Sequence, residues 1–245
     1  ALTTDEQRWL AGFYRTAGNA RAALTLIEAL AAQPGGDPGL HEAIGDLRWE
    51  LKDFTGAAAA FGVARAAAPS PRLTLKVARL EAALGHYDRA LQEYDAYLTA
   101  SSPEGLRVEI ARTSLGAGDW ARAERWAREA SGSSERGFAA DMTLAEALHL
   151  QGALRESVEA FDELPEALRS DSTALEMYGR LSAARNQHQR AARAYQTALD
   201  QGHTTPGEIW YWSGVSQIAR GDFSRASTAL DQAQALGAVP ALVQQ

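Results

Sequence analysis

Cysteine is absent from this chain of 245 residues. Its absence excludes disulfide bridges, thiolate zinc sites and a cysteine nucleophile. It suits the cytosol and an export compartment equally. Methionine is nearly absent, with Met142 and Met177 alone, and the first residue is Ala1, so the chain reads as processed or excised from something longer. Long apolar runs are missing as well. The best stretch, from Ala57 through Phe61 to Val63, stops at Arg65, well short of the roughly 20 residues a membrane span needs. No signal-peptide pattern is visible. Cations are in the minority, with 24 Lys and Arg against 31 Asp and Glu, for a net charge of −7. Nucleic acid and anionic membrane surfaces are gripped by clustered Lys and Arg, so this balance argues against both.

Signatures of chemistry are missing too. The histidines are His41, His86, His149, His188 and His203, with no HExxH or other paired ligand spacing. Ser133 and Ser134 sit in no Gly-x-Ser-x-Gly elbow. Gly35-Gly36 follows no strand and precedes no Lys-Ser/Thr, so it is no phosphate loop. No catalytic residue, metal ligand or cofactor site is expected, and the chain reads as a non-enzyme.

What the chain does contain is a ruler. Gly85-His86-Tyr87-Asp88-Arg89-Ala90-Leu91-Gln92-Glu93-Tyr94 reads as a tight turn followed by an amphipathic helix. Tyr87, Ala90, Leu91 and Tyr94 share one face at helical spacing. The unit recurs at Gly18, Lys52, Gly85, Gly118, Gly152, Asn186 and Gly221, in steps of 33 to 35 residues. A fixed period of that length marks a stacked repeat array. Seven residues before each turn stand Ala11, Gly45, Ala78, Ala111, Ala145, Gly179 and Gly214. Five after it stand Ala23, Ala57, Ala90, Ala123, Ser157, Ala191 and Ala226. Four residues further stand Ile27, Phe61, Tyr94, Ala127, Phe161, Tyr195 and Leu230, mostly large. Small side chains at fixed places let two helices approach closely, and large ones fill the space between them.

Each repeat therefore reads as helix A, turn, helix B, over residues 4–37, 38–70, 71–103, 104–137, 138–171, 172–206 and 207–240 of a single array spanning 1–245. In the first repeat, helix A runs from Asp5 to Ala17 with Thr4 as N-cap. Helix B runs to about Ala32, where Pro34, Gly35, Gly36 and Pro38 break it. Pro165 shortens helix B of repeat five. The segment Ser131 to Gly137 is by composition the most flexible connector. The tail from Pro240 to Gln245 resembles the opening of another helix A, which points to a longer parent array.

The small–small–aromatic columns, the turns Gly221-Asp222-Phe223 and Gly118-Asp119-Trp120, and the repeat-closing Pro69 resemble the tetratricopeptide repeat family over nearly the whole chain. Lys52 and Asn186 in place of the turn glycine, and Ser157 in place of alanine, depart from the pattern. The resemblance implies an all-α, right-handed superhelical solenoid of seven helix pairs. It also implies a binding function, in which one face of the A helices lines a concave groove for a protein partner. On that face would lie Arg8, Asp46, Trp49, Arg79, Arg112, Glu146, His149, Arg180 and Tyr211. Arg79 and Arg112 would grip one extended acidic ligand, or such arginines keep the groove wet and pair with Asp46 and Glu146. The family's carboxylate clamp uses Lys and Asn at sites that here hold Arg8 with Gly12 and Glu42 with Asp46, which disfavours an adaptor for chaperone tails.

Among the tryptophans, Trp120 at the turn reads as structural, Trp49 and Trp212 as candidates for exposure, and part of Trp210-Tyr211-Trp212 must be exposed or pack on a neighbour. The run Arg122, Glu124, Arg125, Arg128 and Glu129 reads as a solvated face with local ion pairs. The Ala-rich, acidic, cysteine-free array also resembles the periplasmic repeat region of outer-membrane exopolysaccharide export proteins of the Pel or cellulose type. That resemblance implies a periplasmic place and a polysaccharide-modifying enzyme as partner. A regulatory or substrate-recruiting domain of an enzyme, and a glycan-binding module with Trp49 and Tyr211 as exposed aromatics, stay open. So does homo-association, end to end or side by side.

Overall fold

A computed structural model describes residues 3–33, 37 and 39–238. Among the described residues there are fifteen helices and no strand. They form seven pairs: α1 (Thr4–Thr16) with α2 (Ala20–Ala31), α3 (Leu40–Glu50) with α4 (Phe54–Ala67), α5 (Pro71–Ala83) with α6 (Tyr87–Leu98), α7 (Arg107–Gly116) with α8 (Trp120–Ser131), α9 (Phe138–Leu150) with α10 (Leu154–Asp162), α12 (Ser172–Ala184) with α13 (His188–Asp200), and α14 (Pro206–Ala219) with α15 (Phe223–Ala235). A single turn, α11 (Glu166–Arg169), follows α10. The chain divides into two compact units, Ala1–Leu106 with Gly116–Gly118, and Arg107–Leu115 with Asp119–Gln245. The breakers Pro34, Gly35, Gly36 and Pro38, and the tail Pro240 to Gln245, lie outside the described residues.

The turns form where the ruler puts them, and for the expected reason. All seven turn residues have a left-handed backbone, including the two that are not glycine, Lys52 at φ 63° and Asn186 at φ 58°. In each, the following amide reaches back to a helix A carbonyl, as His86 N to Glu81 O at 2.9 Å and Gln187 N to Ser182 O at 2.8 Å. This bond satisfies a carbonyl that the helix end would orphan. The residue after the turn then starts helix B. Asn19, Asp53, Asp119 and Asp222 each accept a first-turn amide through the side chain. A Gly-Asp pair thus ends one helix and caps the next. At the first helix the cap is Thr3 rather than Thr4. Thr3 Oγ1 accepts from Glu6 N, and the Glu6 carboxylate accepts from Thr3 N at 2.7 Å. Thr3-x-x-Glu6 is a capping box, and satisfying two amides outcompetes the single bond Thr4 offers.

The first two columns are buried in all seven repeats, and in the third only Leu230 retains partial exposure. Where the first column holds glycine, a large side chain lies directly against the backbone. A Cβ built on Gly45 would fall 2.3 Å from the Phe61 ring, one on Gly179 2.4 Å from Tyr195, and one on Gly214 2.8 Å from Leu230. The odd residue of the second column also has its reason: Ser157, fully buried, donates to Ala145 O at 2.6 Å on the paired helix.

Two connectors show how breaks are stabilised. After α10, Pro165 starts the single turn α11, and Arg169 donates to the free carbonyls of Leu164 and Asp162. The connector expected to be loose, Ser131 to Gly137, is instead bonded at both ends. Glu135 accepts the Arg107 amide at 2.9 Å and ion-pairs with its guanidinium. Ser131 Oγ donates to Asp141 at 2.8 Å, and Ser133 Oγ to Ala130 O. Polar side chains that favour disorder in isolation here close the ends of three helices.

Candidate partner-binding site

In the first unit, Asp46, Trp49 and Arg79 come together. They line a cleft of about 400 Å³ with Arg15, Glu50, Phe61 and Lys76. α3 supplies Asp46, Trp49 and Glu50, one helical turn apart, and α5 supplies Lys76 and Arg79 at the same spacing. The Trp49 ring meets Phe54 edge-on, with centroids 5.7 Å apart, so it is held half-buried rather than standing free. The charges of the cleft close on one another. Lys76 Nζ lies 2.6 and 2.7 Å from the two Asp46 oxygens and 2.7 Å from Glu42 Oε1. Its side chain is 22% exposed, and the Phe61 ring lies 5.7 Å from the ammonium. Arg72 makes a second contact to Glu42 at 2.7 Å, and Arg15 pairs with Glu50. Burial by itself would raise the Glu42 carboxyl, but the Lys76 and Arg72 bonds and charges together outweigh it and hold it below its ordinary value. Arg8 is not part of the cleft; it pairs with Asp37 at 3.2 Å.

The second unit gathers a different set. Arg180 on α12 reaches Glu146 on α9 at 3.2 Å. His149, one turn along α9, is half-buried. Burial, then the Arg180 guanidinium, lowers its basicity, while Glu146 pulls the other way. Beside them lies Glu176 on α12. Burial raises its carboxyl above the ordinary value; Arg180 and His203 oppose this, and Glu146 and Glu208 reinforce it. His203, on the connector before α14, is buried. Its Nδ1 accepts the Thr205 amide at 3.1 Å, which leaves the proton on Nε2, 3.3 Å from Glu176 Oε2. That approach is not aligned as a hydrogen bond, and Nε2 has no other partner among the described residues. Tyr195, fully buried, has its phenol pushed far up, chiefly by burial.

The other candidates are placed singly. Arg112 on α7 is exposed and has no ion-pair partner among the described residues. It belongs to the second unit and Arg79 to the first. Tyr211 is half-buried, edge-on to Trp212 at 5.1 Å. Of the two tryptophans expected to be exposed, Trp212 is, at 36%, and Trp49 is half-buried. Trp9, at 71%, stands out further and stacks on Phe13, and Trp120 at the turn is 41% exposed. Arg128 and Glu124 do pair along the solvated face of α8, at 2.8 Å.

Sequence reading missed Lys76, Glu176 and His203. Glu176 had a signal, since it stands ten residues before its turn, as Arg8 and Tyr211 do before theirs. Lys76 stands nine before its turn, one place off that position. His203 had none beyond lying ahead of the start of α14. Among the described residues no group of His, Asp and Glu is arranged to hold a metal ion, and no helix is long and apolar enough to cross a membrane.

The sequence model of the tetratricopeptide repeat matches residues 13–71, 42–105, 108–172 and 176–241. No curated protein matches the chain significantly. Among solved structures, a tetratricopeptide repeat protein from Parabacteroides merdae shares 17% identity and a TM-score of 0.77, over 96% of this chain and 93% of that one. A chain of the APC/C hetero-tetramer Cut9–Hcn1 shares 11% identity and a TM-score of 0.67, over 96% of this chain and 46% of that one. YrrB, described as a TPR protein with an unusual peptide-binding site, shares 17% identity and a TM-score of 0.50, over 73% and 93%. At such identities the likeness is one of fold, and it is the helix-pair solenoid that the column pattern implied.

Proposed function

The chain belongs to the tetratricopeptide repeat family, and on that premise we propose that it is a non-enzymatic scaffold holding a protein partner against the exposed faces of its A helices. The observation that carries this reading is the cleft between α3 and α5. It joins the rings of Trp49 and Phe61 to a rim of charged groups, in a volume of about 400 Å³. An apolar lining with a few fixed polar groups suits the anchoring side chain of a bound segment. The assembled Cut9–Hcn1 and the peptide-binding site attributed to YrrB agree with such a use of the fold.

The test is capture of a partner with the chain as bait, followed by affinity measurement on variants. Trp49→Ala and Arg79→Ala should each weaken binding about tenfold or more, the size of an interface anchor. Arg89→Ala and Arg193→Ala, exposed on helices α6 and α13, should leave it unchanged. The reverse pattern contradicts the proposal. The finer reading is recruitment of a polysaccharide-modifying enzyme to an outer-membrane export pore, in the periplasm. It rests on the compositional resemblance alone, and identification of the captured partner decides it.

A further inference from the structure

In the first unit the chain carries its own image of a bound cation. Lys76 reaches between two carboxylates on the neighbouring A helix, Asp46 at 2.6 Å and Glu42 at 2.7 Å. Lys76 stands nine residues before its turn. The residues at that place in α12 and α14 are Met177 and Trp212, neither of which carries charge. Yet the carboxylates are present there. Glu146, Glu176 and Glu208 come from three successive A helices, α9, α12 and α14, and the charges of Glu146 and Glu208 both act on Glu176 between them. Against these three carboxylates the described residues supply one permanent cation, Arg180, which contacts Glu146 and whose charge also reaches Glu176. Glu208 is exposed and has no ion-pair partner among the described residues.

A second observation points into the same place. His203 is 93% buried, being 7% exposed. Its Nδ1 is committed as an acceptor, so its Nε2 carries the ring proton. That N–H faces Glu176 without a completed hydrogen bond. An imidazole so placed stands 3.3 Å from the Glu176 carboxylate and leaves its lone pairs open to a further donor. Glu176 is still 18% exposed, so a donor from outside can reach it.

We infer that this face of the second unit binds a basic side chain, a lysine or arginine of the partner segment, with Glu176 and Glu208 as its carboxylate partners and His203 as a positioning residue. The inference rests on the scaffold reading above and names the chemistry of what the scaffold holds. A primary ammonium or a guanidinium can satisfy two carboxylates at once, as Lys76 does with Glu42 and Asp46, both on α3.

The test is calorimetric titration of the full chain at about 150 mM salt, where surface attraction is screened. The probes are acetylated, amidated hexalysine, hexaglutamate and spermidine. Hexalysine should bind saturably and hexaglutamate should not. Glu176→Gln and Glu208→Gln should each weaken hexalysine about tenfold, a single charge-assisted contact, while Glu156→Gln, on the exposed side of α10, should change nothing. Equal binding by all four proteins, or no hexalysine binding, overturns the inference. Spermidine binding as tightly as the peptide, with the same sensitivity, overturns the assignment to a partner's side chain. If Glu176→Gln does not fold, Glu208→Gln decides, because that carboxylate is exposed. Should hexalysine fail while capture stays sensitive to Trp49 and Arg79, only the basic side chain is lost. Should hexalysine succeed while that sensitivity is absent, the partner surface of the first unit is lost instead.

Discussion

In the first unit, the carboxylates of Glu42 and Asp46 close on Lys76, Arg15 and Glu50 pair across helices, and an open cleft remains beside Trp49. In the second, Glu146 and Arg180 pair, Glu176 has the charge of Arg180 and a buried histidine beside it, and Glu208 has no ion-pair partner among the described residues. The backbone frame is common to both. The same columns of small residues pack the helices, and the same left-handed turn joins them. Repeat architecture fixes where side chains stand, not what charge they carry, so each pair of A helices can be tuned without touching the core. One unit satisfies its own charge and offers shape; the other offers charge.

The frame is common only if both units resist the same insult. Gly45→Ala and Gly179→Ala force a methyl group into Phe61 and Tyr195 respectively. Each should cost about 2–3 kcal/mol in denaturant unfolding. A large loss in one unit and none in the other would break the equivalence.

A smaller effect tests the difference. Lys76→Met gives the first unit the residue found at Met177 in the second, strands Asp46 and leaves Glu42 to Arg72 alone. At neutral pH it should cost about 1–2 kcal/mol, between an exposed and a buried pair. The lowered Glu42 carboxyl sets the pH dependence. The folded state holds fewer protons than the unfolded one, so the Lys76 contribution is present above the unfolded carboxyl value and fades as pH falls through the folded one. Unfolding of wild type and variant across pH 3 to 7, about either side of the ordinary carboxylate range, measures it.

Glu176 has the opposite sign. Its carboxyl is raised, so the folded state holds more protons, and its contribution is full below the unfolded value and lost as pH rises through the folded one. Glu176→Gln should therefore gain stability relative to wild type as pH rises toward neutrality, by less than Lys76→Met loses. A variant that loses stability with rising pH contradicts this. The smallest effect concerns the turns. Lys52→Gly relieves a left-handed non-glycine residue and should stabilise by at most about 1 kcal/mol, and Asn186→Gly by less, because asparagine tolerates that backbone. Thermal melts of the two variants order them.

Much of the frame was legible in the residues. A column of Ala and Gly seven before a turn can only mean close helix contact, and Gly-Asp can only sensibly end one helix and begin another. Lys52 and Asn186 were correctly placed at turns because the period outweighed their identity. The site was legible only in part. Asp46, Trp49 and Arg79, which the resemblance set on one face, line one cleft, but Lys76 enters it from the neighbouring pair, 30 residues from Asp46. Which charges cancel depends on side-chain reach between helices, and no column reports that. His203 is a stronger case, because its burial follows from packing at the start of α14 and not from any local pattern. The Ser131 to Gly137 connector misled for the same reason: its serines and glutamate found partners on helices that composition alone cannot supply.

The central claim, that the A helices form the binding face, is tested most directly by amide hydrogen exchange of the full chain with and without its captured partner. The account predicts new protection in α3 and α5 and in α9, α12 and α14. Protection confined to α4, α6, α13 and α15 would contradict it.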